Sequence, residues 1–254
     1  MAGAWAMGVF RRGSVRGPVR VIERRFVPAL WLIAALMVLT TLLASMLAGS
    51  LFFAMRRTTE LSARDLAIVS TIARVVPIVV ALGVHVQLRT GLLRAIGLGV
   101  DRLGKGWAGL LGLLVAVPWV YFVMSVAQIV YAAFGHASKS EHEMLTLMRQ
   151  THDSLVLVLT IVNAVLIAPV AEELLFRGHV QTALRTTTGR PWVAILATSA
   201  LFAVIHPWWS IPGILVLAIC LGYLYERTAS LWACIALHVG FNLLSTVVAL
   251  TFAG

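Results

Sequence analysis

Charge is what this chain has least of. Only 12% of its 254 residues are Asp, Glu, Lys or Arg, and the acidic share is ten residues against twenty basic ones. A soluble domain of this length carries about twice that charged fraction, so that class is excluded. Cysteine is nearly absent as well. Cys220 and Cys234 both lie in apolar stretches, so they read as packing residues and say little about redox compartment. The chain also lacks an internal repeat, a low-complexity tail and any linker that would mark off a second soluble domain.

What is present is apolar: 60% of residues are hydrophobic and the mean hydropathy is +0.95. Apolar runs near the ~20 residues that a bilayer requires fall at about 26–54, 66–86, 107–134 and 154–176, with tighter ones at 191–206, 211–225 and 231–252. The expected fold is therefore an all-α, polytopic transmembrane helix bundle of about seven spans. The first run is too long for a signal-peptide hydrophobic region of roughly 7–15 residues, so it is kept as an anchor despite the small residues at Ala48-Gly49-Ser50.

The net charge of +10 does not point to nucleic acid. Six basic residues (Arg11, Arg12, Arg16, Arg20, Arg24 and Arg25) precede the first run, and alternate loops divide the remainder unequally. With the N-terminus inside, fourteen Lys and Arg lie inside and five outside, while Arg74 lies within the second span. The positive-inside bias thus predicts N-terminus in and C-terminus out. Three segments follow: a basic cytoplasmic stretch (1–25), three spans with a polar outer loop (26–153), and a membrane core (154–254). His136, Glu141, His142, Glu143 and His152 sit in that loop without regular ligand spacing, and it reads as a solvated connector.

Against this background two adjacent acids stand out. Glu172 and Glu173 end the run SLVLVLTIVNAVLIAPVAEELLFRG and are read as the only acids inside a span. Ionisable groups in a bilayer cost roughly 2.5–3.5 kcal/mol each on insertion scales and mark functional sites by default. Glu173 and Arg177 are four apart, so they share a helix face and can neutralise each other. Glu172 points about 100° away with no helical charge partner, which suits a general base or acid. Pro169 removes a backbone donor and should free a carbonyl near Val165, opening a kink beside the carboxylates.

Two further motifs follow, Phe202-x-x-x-His206 and His238-x-x-x-Asn242. If the helix after Glu172 turns near Gly189, Glu172 and His206 are each seventeen residues from the turn. Both then project about 25 Å from it at 1.5 Å per residue, and a hairpin brings them level. His238 and Asn242 share a face and need polar partners in hydrocarbon, for which the carboxylates are the obvious candidates. Two chemistries fit this set. Glu172, His206 and His238 form a zinc-type ligand group with an open position for water. Without metal, Glu172 activates water while His206, His238 and Asn242 orient it and meet an oxyanion. The HExxH signature of soluble zinc proteases is missing, so any ligands come from separate helices.

In their order and spacing, EELLFRG (Glu172 to Gly178), FAVIH (Phe202 to His206) and HVGFN (His238 to Asn242) resemble the CAAX prenyl protease and bacteriocin-processing family, the Abi or CPBP group of intramembrane proteases. The stretch GYLYERTASLWACIALH before the last motif is similar as well, and the resemblance covers about 154–252. It implies an all-helical membrane endopeptidase with Glu172 activating water, Glu173 as its companion, and His206, His238 and Asn242 completing the centre. Arg177 and Phe202 would be structural or substrate-facing. The family is described both as zinc-dependent and as metal-free, so zinc stays open as a cofactor. The implied partners are the lipid bilayer and a hydrophobic or lipidated peptide or protein substrate, and no nucleic acid. A basic N-terminus without a cleavable signal suits a bacterial inner membrane.

Two other functions remain in view. A non-catalytic bacteriocin immunity or scaffold protein would need the polar cluster only for packing. A proton-coupled transporter would use the Glu and His residues as a relay, but inverted repeats and matching broken helices are missing.

Overall fold

The computed structural model describes residues 22–56, 61–88, 91–135, 151 and 153–252. The loop residues His136, Glu141, His142, Glu143 and His152, and Arg11, Arg12, Arg16 and Arg20, lie outside them. The described residues are helical with no strand among them. Long uniform runs of Leu, Val and Ala leave no other choice in lipid, because a helix satisfies its own backbone groups. In chain order the helices are α1 (Val27–Arg56), α2 (Ala63–Leu88), the short α3 (Leu92–Ala95) and α4 (Gly106–Ala133). Then come α5 (Ser154–Thr188), α6 (Pro191–Val204), α7 (Ile211–Thr228) and α8 (Leu231–Phe252).

Six helical stretches are long and apolar enough to cross a membrane, which makes the chain an all-α polytopic bundle. The expected fifth span is the exception. α6 has 14 residues, about 21 Å of helix against a hydrocarbon core of about 30 Å. Its limits are chemical. Gly189, left-handed at φ 68°, turns the chain just before it, and Pro207 disfavours helix at His206 just after it. The acids need a correction too: Asp65 and Glu226 also lie within long apolar helices, each the third residue from an end.

α5 is the hub, touched by α1, α2, α6, α7 and α8. α1 packs along α2, while α4 packs along α7 and α8. The outward faces of α1 (Leu39, Leu42, Met46) and α4 (Leu110, Leu114, Phe122) are exposed apolar surface, as lipid contact requires. Polar contacts fasten the ends. The Asp153 carboxylate caps α5, accepting from the Leu155 amide at 3.0 Å, and also takes a hydrogen bond from Arg64 at the start of α2. That bond from Arg64 holds the Asp153 carboxyl below its ordinary range. At the opposite ends of these helices, the α7–α8 turn is tied to residues 96–105. Tyr225 donates to the Ile96 carbonyl at 2.9 Å, Trp232 to Leu98 at 3.3 Å and Lys105 to Thr228 at 3.0 Å.

Two helices come close together at Gly109 of α4. A Cβ there would lie 2.0 Å from the Ala233 carbonyl oxygen and 2.8 Å from the Leu237 amide, both backbone. Gly49 of α1 has nothing within 4 Å of the same point. Gly109→Ala is therefore expected to destabilise the protein by about 1–3 kcal/mol, the usual cost of overpacking. Gly49→Ala should be neutral or mildly stabilising. Unfolding curves of the two purified variants in one detergent check this; equal stability would mean that α4 and α8 do not meet at Gly109.

Candidate active site

Pro169 shapes the local backbone of α5. Its missing N–H forces a break in the helical ladder, and the preceding residues Asn163–Ile167 widen into a π-helix. The Ala168 amide reaches back five residues to the Asn163 carbonyl. Continuing that register, position 169 would serve Ala164, and proline cannot. Asn242 of α8 supplies the donor instead, giving its Nδ2 to the Ala164 carbonyl at 2.8 Å. The freed carbonyl is thus that of Ala164 rather than of Val165, because the widened turn shifts the pairing by one residue.

A second π-helical stretch, Leu174–Gln181, follows the two acids. Side chains again supply donors: His179 gives Nδ1–H to the Leu174 carbonyl at 2.7 Å, and Thr182 gives its hydroxyl to Arg177 at 2.9 Å. Between the two widened stretches Glu172 and Glu173 sit on a short α-helical segment, Ala168–Glu173.

Glu173 is fully buried, and so is Arg177. Glu173 Oε1 accepts from Arg177 Nη1 at 2.9 Å and from His238 Nδ1 at 2.9 Å. Arg177 also donates Nη2 to the Ala218 carbonyl of α7 at 3.1 Å, and its guanidinium stacks 4.8 Å over the Phe202 ring. Burial at this level is tolerable only because each charge meets its opposite and further hydrogen bonds. The bond to Glu173 fixes His238 as the Nδ1–H tautomer. Its Nε2 is left facing Glu172, 3.8 Å from Oε2.

Phe202 of α6 is completely buried and joins the parts. Its ring lies 4.7 Å from that of His206, 5.9 Å from that of His238 and 5.0 Å from that of Phe176. His206 donates Nδ1–H to the Phe202 carbonyl at 2.7 Å, so its Nε2 is also free. The structure therefore joins Glu172, Glu173, Arg177 and His238 by polar contacts. It brings His206 in through Phe202 and sets Asn242 against the backbone of α5.

The donor tautomers suit a metal at His206 and His238, since each has its second nitrogen anchored and Nε2 open. The spacing does not complete a site: among the described residues, no three His, Cys, Asp or Glu side chains are gathered to hold an ion.

Glu172 differs from its neighbour in surroundings, with 27% of its side chain exposed. It lines a cavity of about 450 Å³ between α1, α2 and α5, together with Thr41, Ser45, Ser70, Arg74 and Phe176. Ile205, next to His206, borders the same space, which places the end of α6 at the level of Glu172.

Sequence reasoning passed over a second buried imidazole. His85 of α2 and His179 of α5 meet through Nε2 at 2.9 Å, both nearly sealed from solvent. A histidine alone on an apolar helix carries no signal, and the two are 94 residues apart. The pair ties α2 to α5 two residues beyond Arg177.

One comparison with known proteins covers this part of the chain. The family model described as type II CAAX prenyl endopeptidase, Rce1-like, matches residues 154–244. Over that segment the chain is similar to the Rce1-like family. The Rce1-like segment takes in Glu172, Glu173, Arg177, Phe202, His206, His238 and Asn242 and leaves α1 to α4 outside. No curated protein and no solved structure matches the chain.

The buried pair is expected to dominate the stability of the Rce1-like segment. Arg177→Met strands the Glu173 charge and should cost about 3–5 kcal/mol, the usual penalty for breaking a buried pair. Adding Glu173→Gln to Arg177→Met should recover a large part of that loss. A double-mutant cycle by unfolding in detergent reads the coupling; additive effects would mean that the two side chains do not depend on each other.

Proposed function

We propose that the chain is an intramembrane endopeptidase that hydrolyses peptide bonds of hydrophobic or lipidated, membrane-associated substrates. The observation that carries this reading is the unequal setting of the two glutamates. Glu173 spends its charge on Arg177 and His238, while Glu172 opens onto the cavity opposite the free Nε2 of His238. A water molecule between Glu172 Oε2 and His238 Nε2 donates to both. Its oxygen lone pair is left to attack a substrate carbonyl.

In this reading Glu172 removes the water proton as the C–O bond forms, then returns it to the amine as the C–N bond breaks. Glu173 and Arg177 are positioning residues: they hold the imidazole of His238 in the tautomer that faces the water. The negative charge on the tetrahedral intermediate meets the second amide hydrogen of Asn242, and His206 helps to orient the attacking water. Residues 154–254 act as the catalytic core and residues 26–153 as the wall of the access cavity. The basic segment 1–25 keeps the N-terminus inside, as the charge asymmetry favours in a bacterial inner membrane.

Glu172→Gln keeps size and packing but removes the base. Cleavage is expected to fall about 100-fold or more, the lower bound for a positioned general base, with little change in unfolding midpoint. Comparing membrane-peptide termini in cells carrying wild type or Glu172→Gln at equal expression reads this directly. Identical termini, with both proteins folded, would move the assignment to a non-catalytic binder. Chelation tests the second chemistry: activity should survive dialysis against a strong zinc chelator. Loss on dialysis and recovery with added zinc would instead make Glu172, His206 and His238 ligands.

A further inference from the structure

The other charged residue lining the Glu172 cavity is Arg74. It is the twelfth residue of the 26-residue α2, about 17 Å from the start of that helix. A guanidinium at that depth is conspicuous in a bilayer. Among the described residues, no carboxylate lies within ion-pair distance of it. Its one hydrogen bond runs from Nη1 to the Ser70 carbonyl of its own helix at 3.2 Å. Four of its five N–H donors remain.

The rest of the cavity does not engage them, and no hydroxyl that lines it is hydrogen-bonded to the guanidinium. Thr41, Ser45 and Ser70 spend their hydroxyl hydrogens on backbone carbonyls of their own helices, at 2.7–2.9 Å. The remaining lining is mostly apolar (Met37, Leu66, Val69, Pro77, Leu175 and Ile205). The site is therefore a largely apolar pocket with the Glu172 carboxylate in one wall and a guanidinium without a carboxylate partner in another.

We propose that Arg74 is a specificity-determining residue that binds a carboxylate of the peptide substrate, so that Glu172 meets a peptide bond at a set distance from that carboxylate. The proposal deepens the endopeptidase reading and rests on it. Lipid phosphate is the other anion at hand. It resides at the interface, about 15 Å from the centre of a 30 Å core, whereas a peptide that brings its scissile bond to Glu172 carries its carboxylate into the same cavity. Arg74 does no chemistry; it makes a charge-assisted bond to a carboxylate, either the chain terminus or an acidic side chain.

The test uses the full-length protein in neutral phosphatidylcholine vesicles and matched hydrophobic peptides. One pair differs only in a free or amidated C-terminus, and another only in Glu or Gln on the side chain nearest the cleavage point. Wild type is expected to prefer a carboxylate member by about ten-fold or more in kcat/KM, the scale of one charge-assisted hydrogen bond. That preference should appear in KM, fall towards unity in Arg74→Gln and return in part in Arg74→Lys. The pair that shows it identifies the source of the carboxylate.

The same peptides are titrated for binding to Glu172→Gln, with and without Arg74→Gln. Arg74-dependent discrimination in binding without any cleavage by wild type would sustain the carboxylate site and overturn the protease reading. Glu172-dependent cleavage with no carboxylate preference in wild type, or with one that survives in Arg74→Gln, would overturn the proposal and leave the protease reading standing. A response that follows phosphatidylglycerol content instead of the peptide carboxylate would make Arg74 a lipid site and overturn it as well.

Discussion

One carboxylate oxygen holds the site together. Glu173 Oε1 accepts from Arg177 and from His238 in a fully buried setting, where an unmet charge would be prohibitive. Because the pair is neutral as a unit, it can sit inside the bundle. Because each partner has further obligations, it also fixes the neighbouring helices. Arg177 reaches the Ala218 carbonyl on α7 and the face of Phe202 on α6, while His238 belongs to α8. Moving any of these helices breaks a bond to a buried charge, so the positions of α6, α7 and α8 around α5 are set electrostatically as well as by packing.

The same helix supplies irregular backbone beside those charges. Two π-helical stretches flank the acids, and such widened turns recur at functional sites because they displace side chains from the regular 100° spacing. In a membrane, each interrupted hydrogen bond must be replaced. Asn242 does so at Ala164, and His179 and Thr182 add side-chain bonds to the Leu174 and Arg177 carbonyls. Asn242 consequently has two duties under the proposed reading. One amide hydrogen holds the kink that shapes the site, and the other is left for the reaction. Its position is fixed by backbone geometry before any substrate arrives.

Much of this was legible from spacing. The i, i+4 relation of Glu173 and Arg177 gave the ion pair, and Gly189, the pivot from which Glu172 and His206 were counted, does carry the turn at φ 68°. The apolar runs gave the helical bundle. What spacing could not give is anything that depends on neighbours distant in sequence. The π register moved the unpaired carbonyl from Val165 to Ala164, because a five-residue pairing looks the same as a four-residue one in sequence. Hydropathy counted α6 as a span since its residues are apolar throughout; Pro207 and the Gly189 turn make it too short. His85 and His179 are unremarkable individually and meaningful only as a pair.

Two neighbouring glutamates end with opposite surroundings because consecutive positions on a helix differ by about 100°. That rotation carries Glu173 into the packed seam against α7 and α8, where its charge is consumed. It leaves Glu172 on the side facing α1 and α2, where those helices have drawn back to leave the cavity. An acid in the seam has no room for water. An acid in the cavity without its neighbour would face an imidazole free to rotate and to change tautomer. The arrangement needs both, with Glu173 orienting the histidine that Glu172 then works beside. It follows that the walls contributed by α1 and α2 belong to the candidate site even though the Rce1-like match begins at residue 154: under the proposed reading the motif residues supply the reacting groups, and the first two helices supply the space in which one of them remains free to react.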